Sequence, residues 1–99
     1  AGLEAATRSA ALDLARHGVL ANAVAPGFVR TRMSLLPDGT DETDTDEFRQ
    51  QYVTSGKLPL GRAALPAEIA PAVDFLSSRA NTYTTGQVLT VDGGLTMTF

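Results

Sequence analysis

Val19-Leu20-Ala21-Asn22-Ala23-Val24-Ala25-Pro26-Gly27-Phe28-Val29-Arg30-Thr31-Arg32 is the stretch from which the fold is read. Val19 to Ala25 is apolar apart from Asn22, the texture of a strand covered on both faces, as in parallel sheets. Pro26-Gly27 stops the run, because Pro donates nothing to a ladder and Gly tolerates backbone conformations that other residues avoid. Ligands of open α/β sheets sit beyond the carboxyl ends of strands. A loop with free N–H groups, the Thr31 hydroxyl and the apolar pair Phe28 and Val29 suits a flat, amide-bearing ring. A strand followed by Pro-Gly is also a plain connection in many α/β proteins, so the loop alone leaves both readings open.

Upstream, Leu3, Ala6, Ala10 and Leu14 recur at helical spacing, with Leu12 widening the stripe. The pattern predicts a helix over 3–17, supported by a Glu4–Arg8 pair at i,i+4 and closed by Gly18 as a left-handed cap. Its many Ala residues suit a buried core helix or a close-packed subunit face equally. The pattern starts at Ala1-Gly2-Leu3-Glu4 with no initiator Met and no capping Ser, Thr, Asp or Asn, which reads as a chain cut inside a helix. His17, the one histidine, reads as a surface residue compatible with the helix dipole.

Downstream of Thr31 the chain is apolar at Met33, Leu35 and Leu36, then acidic through Asp38, Asp41, Glu42, Asp44, Asp46 and Glu47. The spacing fails the calcium-loop pattern of alternate acids around a central Gly. A solvated loop leading into a short helix is expected, with Asp46 as its cap and Phe48 and Tyr52 on one side at i,i+4. Tyr52 and Lys57 are five apart, about 140° out of line on a helix, and so form no Tyr-x-x-x-Lys pair. After the Pro- and Gly-punctuated 58–66, a helix is predicted from Pro66 with Ile69, Ala72, Val73 and Leu76 as its stripe and a possible kink at Pro71. Gln87 to Val91 is the second predicted strand. Asp92-Gly93-Gly94 closes it, and 95–99 forms an exposed or partner-covered tail.

The net charge of -3 argues against a nucleic-acid or anionic-membrane surface. No apolar run approaches the ~20 residues of a membrane span. The absence of Cys excludes thiolate catalysis and disulfides, and a single His leaves little for a Ser-His-Asp triad or a metal site.

Pro26-Gly27-Phe28-Val29-Arg30-Thr31, preceded by Asn22-Ala23-Val24-Ala25, resembles the Pro-Gly-x-Val/Ile-x-Thr segment of short-chain dehydrogenases/reductases. Gly61-Arg62, Pro66-Ala67-Glu68-Ile69-Ala70, Phe75-Leu76-Ser77-Ser78, Thr85-Gly86-Gln87 and Val91-Asp92-Gly93-Gly94 resemble that family's closing blocks in the same order. One such block is weak, but an ordered series across essentially the whole chain is strong.

The resemblance implies an α/β fold, the carboxyl-terminal part of a Rossmann-type doubly wound parallel sheet, with two strands plus helices. Residues 1–99 would be one segment of a single domain, with a variable substrate loop at about 33–60. It implies NAD or NADP as cofactor, bound by Pro26, Gly27, Phe28, Val29 and Thr31. Val29 would meet the carboxamide through its backbone, and Thr31 the carboxamide or pyrophosphate through its hydroxyl. Met33, Leu35, Leu36, Phe48 and Tyr52 are the candidates for lining the alcohol or ketone substrate. The catalytic Ser, Tyr and Lys would precede Ala1, so no catalytic residue is expected in this chain, and the isolated piece is expected to be inactive. A cytoplasmic homo-oligomer, dimer or tetramer, goes with the resemblance, since the helix matching 3–17 often contributes to a dimer interface. The alternative is a catalytically silent segment that serves only in assembly. On physical grounds the two strands can pair only with each other, and the chain alone should be marginal.

Overall fold

A computed structural model describes residues 2–98. Ala1, where the helical pattern was expected to begin, and Phe99, the end of the expected tail, lie outside the described residues. The elements are α1 (Gly2–Ala15), β1 (Ala23–Pro26), α2 (Asp46–Phe48), α3 (Pro66–Ser77) and β2 (Val88–Val91). Short 3-10 turns occur at Arg32–Ser34, Glu42–Asp44 and Leu95–Thr98, and a π-helical stretch at Arg49–Thr54 follows α2. Two compact units result, one containing the residues up to Ala25 with Ala70–Thr90, the other Pro26–Ile69 with the residues from Val91.

In the first unit, α1 ends as the sequence predicts. Gly18 sits at φ +70°, its N–H donates to Ala15 O (3.0 Å), and the Val19 N–H reaches back to Leu14 O (3.3 Å), a Schellman closure. Glu4 and Arg8, by contrast, form no ion pair; the three among the described residues join Arg30 to Asp41 and Asp44, and Arg62 to Glu68. β1 and β2 pair directly, and the Ala23 N–H donates to Gln87 O at 2.9 Å. The numbering ascends together on both strands, since the Gly27 N–H in turn meets Val91 O (3.1 Å), so the pair is parallel.

The first strand is shorter than expected and is not covered on both faces. Val19 and Leu20 are exposed and precede the ladder. Ala21 and Asn22 are held by one backbone bond, from the Gly86 N–H to Ala21 O (2.7 Å), and by side chains: the Ala21 N–H donates to Thr85 Oγ1 (3.0 Å), while Asn22 Nδ2 donates to Thr84 O (2.8 Å) and its Oδ1 accepts the Gln87 N–H (3.0 Å). With one neighbouring strand among the described residues, β1 is half-buried up to an exposed Pro26, and in β2 Leu89 and Thr90 are exposed. Asn81, between α3 and β2, is 7% exposed. Its Nδ2 caps α3 at Leu76 O (3.0 Å) and meets Thr84 O (3.1 Å), while its Oδ1 accepts the Thr84 N–H (2.9 Å). α3 runs through Pro71 without interruption.

In the second unit the acidic stretch is ordered rather than merely solvated. The cap of α2 is Thr45, one residue before the expected Asp46; its Oγ1 accepts the Phe48 N–H at 3.2 Å. A hydroxyl at this position reaches the third N–H of the helix, a reach Asp46, already inside it, lacks. The expected tail also has a tie, since Thr98 Oγ1 donates to Lys57 O (2.7 Å). Buried apolar residues are few: Ala11 in the first unit, Phe48 and Leu58 in the second.

Candidate functional site

The residues after β1 form a loop whose path is fixed by a close approach. A Cβ placed on Gly27 would lie 2.8 Å from Asp92 Cβ and 2.9 Å from Asp92 Cα, so only glycine lets the chain pass here. Asp92 is itself pinned. Its Oδ1 accepts the Gly94 N–H and its Oδ2 the Thr96 N–H, both at 2.9 Å, and these bonds, the Thr96 bond foremost, hold its carboxyl below the usual carboxylate range.

Beyond Gly27, a single parallel bridge ties the loop to residue 64. The Arg30 N–H donates to Ala64 O and the Ala64 N–H to Phe28 O, both at 2.9 Å. This geometry uses the backbone groups on either side of Val29 and leaves the Val29 N–H and C=O without a backbone partner among the described residues. Phe28 turns its ring into a three-ring cluster, 4.9 Å from Phe48 and 4.7 Å from Tyr52 by centroids, with Phe48 and Tyr52 4.9 Å apart. The two contacts of Phe28 are edge-to-face, a geometry that stabilises beyond area alone. The i,i+4 pairing of Phe48 with Tyr52 therefore holds, and the structure adds Phe28, which the sequence reading had placed with a different group.

Thr31 caps the 3-10 turn at Arg32–Ser34. Its Oγ1 accepts the Met33 N–H (3.1 Å), and its own N–H donates to Ser34 Oγ (3.0 Å), a reciprocal capping box. Ser34 Oγ lies 2.7 Å from Asp41 Oδ2, and Asp41, 6% exposed, takes further bonds from the Thr43 N–H and hydroxyl. Those Thr43 and Ser34 bonds, with Arg30 adding a smaller attraction, hold the Asp41 carboxyl below its ordinary range. Arg30 makes a bidentate pair with Asp44 at 3.0 and 2.8 Å and brings Nε to 3.7 Å from Asp41.

The other sequence candidates are placed less centrally. Met33 is 95% exposed and Leu35 half exposed. Phe48 borders a cleft of about 390 Å³ that Arg30, Thr43, Arg49 and Gly61 also line; Met33, Leu35, Leu36 and Tyr52 do not line it. Arg62, which also lines that cleft, forms a two-pronged pair with Glu68 at 2.7 Å on each arm, and Glu68 Oε1 accepts the Leu65 N–H at the start of α3 (2.9 Å). Arg62 first, then that N–H, pull the Glu68 carboxyl down to about 2. Ser34 and Asp41 were missed as site residues. The Thr31-x-x-Ser34 spacing is a capping signal that could have found Ser34, and Asp41 caps the 3-10 turn that follows it, but nothing local marks its burial.

The comparisons with known proteins bear on what this loop is for. The family profile described as enoyl-(acyl carrier protein) reductase matches residues 1–96. A 3-oxoacyl-(acyl-carrier-protein) reductase of Rickettsia bellii is 40% identical over 97 residues, which is 98% of this chain and 36% of that protein. A crystal structure of a Thermus thermophilus protein aligns with TM-score 0.78 at 32% identity, covering 97% of this chain and 37% of that one. An NADPH-bound short-chain oxidoreductase of Pseudomonas aeruginosa aligns with TM-score 0.74 at 34% identity, covering 95% and 35%. The chain thus spans about a third of the length of the relatives it matches, and its two parallel strands and helices match Rossmann-fold structures.

Proposed function

This chain belongs to the short-chain dehydrogenase/reductase family, and from that premise we propose that it supplies the nicotinamide-side loop of an NAD(P)-dependent oxidoreductase acting on a secondary alcohol or ketone. The observation that carries the reading is the bridge across residue 64, which occupies Phe28 O and Arg30 N–H and leaves one donor and one acceptor on Val29. A carboxamide offers the complementary acceptor and donor. Thr31, exposed and with its hydroxyl oxygen already accepting the Met33 N–H, retains its hydroxyl proton for the carboxamide or a pyrophosphate oxygen. Pro26, Gly27 and Phe28 shape the turn that holds both residues in place.

When bound, the nicotinamide supplies hydride chemistry, and the loop's part is to present one ring face by fixing its carboxamide. The general acid/base Tyr, its Lys and the Ser that orients the carbonyl belong, in this reading, to sequence ahead of Ala1. Residues 33–60 form the substrate segment of the same Rossmann-type domain, with Met33, Leu35, Leu36, Phe48 and Tyr52 its apolar candidates. Binding of NADH and NADPH to the complete subunit, measured by fluorescence, tests the proposal. Val29→Pro, which deletes the N–H, should weaken binding at least about tenfold, near the worth of a hydrogen bond left unmade. Unchanged binding in that variant, or tight NAD(H) binding by the isolated 99-residue chain, overturns it.

A second role in assembly has its own observation: Leu12 on α1 is 73% exposed, with Leu3 and Leu14 also uncovered. Leu12 lies about 180° around α1 from Leu3, on a face of its own, and an Ala-rich helix with that leucine uncovered fits a homo-oligomer contact. Leu12→Glu should dissociate the complete enzyme in sedimentation experiments while NAD(P)H binding persists. An unchanged assembly state removes this role.

A further inference from the structure

Resting on the reading of Thr31 as a nicotinamide-side group, we propose that Ser34 and Asp41 are positioning residues for it, Asp41 setting the direction of the Ser34 hydroxyl so that Ser34 holds the Thr31 backbone. The Ser34 hydroxyl has two acceptors within reach, Asp41 Oδ2 at 2.7 Å and Thr31 O at 2.8 Å, and one proton. The ionised carboxylate is the stronger acceptor. Thr31 O is also already served by the Ser34 N–H at 3.1 Å. The proton therefore goes to Asp41, and the Ser34 oxygen turns its lone pairs to the Thr31 N–H at 3.0 Å.

Asp41 is held in the orientation this requires. Its other oxygen accepts the N–H and hydroxyl of Thr43, and Arg30 Nε stands 3.7 Å away, so the carboxylate stays charged and cannot rotate freely. Both Ser34 and Asp41 are buried in a chain where few side chains are. A desolvated carboxylate is costly unless its bonds are made, and here they are made in one direction only. At the other end of the series the Thr31 oxygen accepts the Met33 N–H, which leaves its hydroxyl proton as a spare donor on an exposed residue. Thr31 itself touches the cofactor; Ser34 and Asp41 act through it.

The test compares ligands with and without the nicotinamide ring on the complete subunit. NADH and NADPH binding is measured beside ADP-ribose and 2′-phospho-ADP-ribose for the parent, Ser34→Ala and Asp41→Asn. We expect both variants to bind the reduced dinucleotides about five- to tenfold more weakly, the scale of one misdirected hydrogen bond, with ADP-ribose binding unchanged. Equal weakening of both ligand types shows the network to be a fold element and overturns the positioning role, as does no weakening of either. A parent that binds ADP-ribose as tightly as NADH and NADPH would instead sink the nicotinamide reading itself, before any variant is compared.

Discussion

The two compact units are held by different chemistry. In the first, Asn22, Asn81 and Thr85 stitch the entry of β1 to the loop before β2 with neutral amides and hydroxyls, none of which titrates. In the second, the exposed pairs Arg30–Asp44 and Arg62–Glu68 order the loops with charge, and of these acids Asp41 alone is buried, held by Ser34 and Thr43. Neutral networks buried in protein lose heavily when one member is removed, because the partners stay desolvated. Exposed charge pairs lose little, because water replaces them. The unit that looks more strongly bonded on paper is thus the more tolerant one, and the difference can be measured.

Asn81→Ala should have the largest effect. The side chain makes three hydrogen bonds from a buried position, and its loss leaves Leu76 O and the Thr84 N–H without those partners. Two stranded backbone groups imply a cost of about 2–4 kcal/mol, read as a lowered urea midpoint of the complete subunit at unchanged m-value. A cost below about 1 kcal/mol would mean that water reaches these groups, and the contrast between the units would fail.

Gly27→Ala probes the second unit where charge is not involved. The added methyl would meet the Cα and Cβ of Asp92 at 2.9 and 2.8 Å, and one of these is backbone. Overpacking of this kind costs about 1–3 kcal/mol. We expect the loss in thermal midpoint to be accompanied by weaker NAD(P)H binding, since the same loop carries Val29. If Gly27→Ala costs more than Asn81→Ala, close backbone packing, and not the buried amides, dominates the stability of the chain.

How far these features could be read from sequence follows from the range of the interactions. The Gly18 cap, α3 with Glu68 in its first turn, and the Phe48–Tyr52 pair depend on neighbours within four residues, and all were legible. The length of β1 was not, because its first residues are taken by Thr84, Thr85 and Gln87, more than sixty positions away. Asp41 looked like one acid among several; its burial depends on Ser34 seven residues before it and on Arg30. The loop from Pro26 to Thr31 was recognisable as a family motif, yet the reason Gly27 must be glycine lies at Asp92. The lesson is that a loop is legible as a motif while its supports are not, since the supports are non-local.

Acid should separate the units next. Glu68 has its carboxyl lowered from 4.5 to about 2, and Asp41 and Asp92 are lowered too; all three belong to the second unit. A carboxyl depressed on folding contributes stability that is complete above its unfolded value and is lost as pH falls through its folded one. For Glu68 that loss runs from about 4.5 down to about 2. Amide hydrogen exchange across this window should show protection around Ala64, Leu65 and Ser34 declining before that around Thr84 and Gln87. Simultaneous loss in both would show that titration is not confined to the charged unit.

The smallest effect belongs to the most conspicuous bond. Arg30 and Asp44 form a two-pronged pair, but their side chains are 42% and 50% exposed. Coulomb attraction at such a surface is weak, and fixing two long side chains offsets much of it, so Arg30→Met should cost only about 0.5 kcal/mol. Arg30 and Phe48 both line the cleft, and Met keeps an aliphatic chain there in place of the arginine stem, so packing changes little. The remaining support of Asp41 comes from Ser34 and Thr43, which this substitution leaves in place. The check is a pair of urea titrations at low and at about 1 M salt, where the Debye length has fallen to roughly 3 Å. The parent should lose at high salt about what the variant has already lost, and the two curves should converge. A gap that survives salt and exceeds about 2 kcal/mol would place Arg30 in a desolvated network, and the second unit would then be built on the same principle as the first.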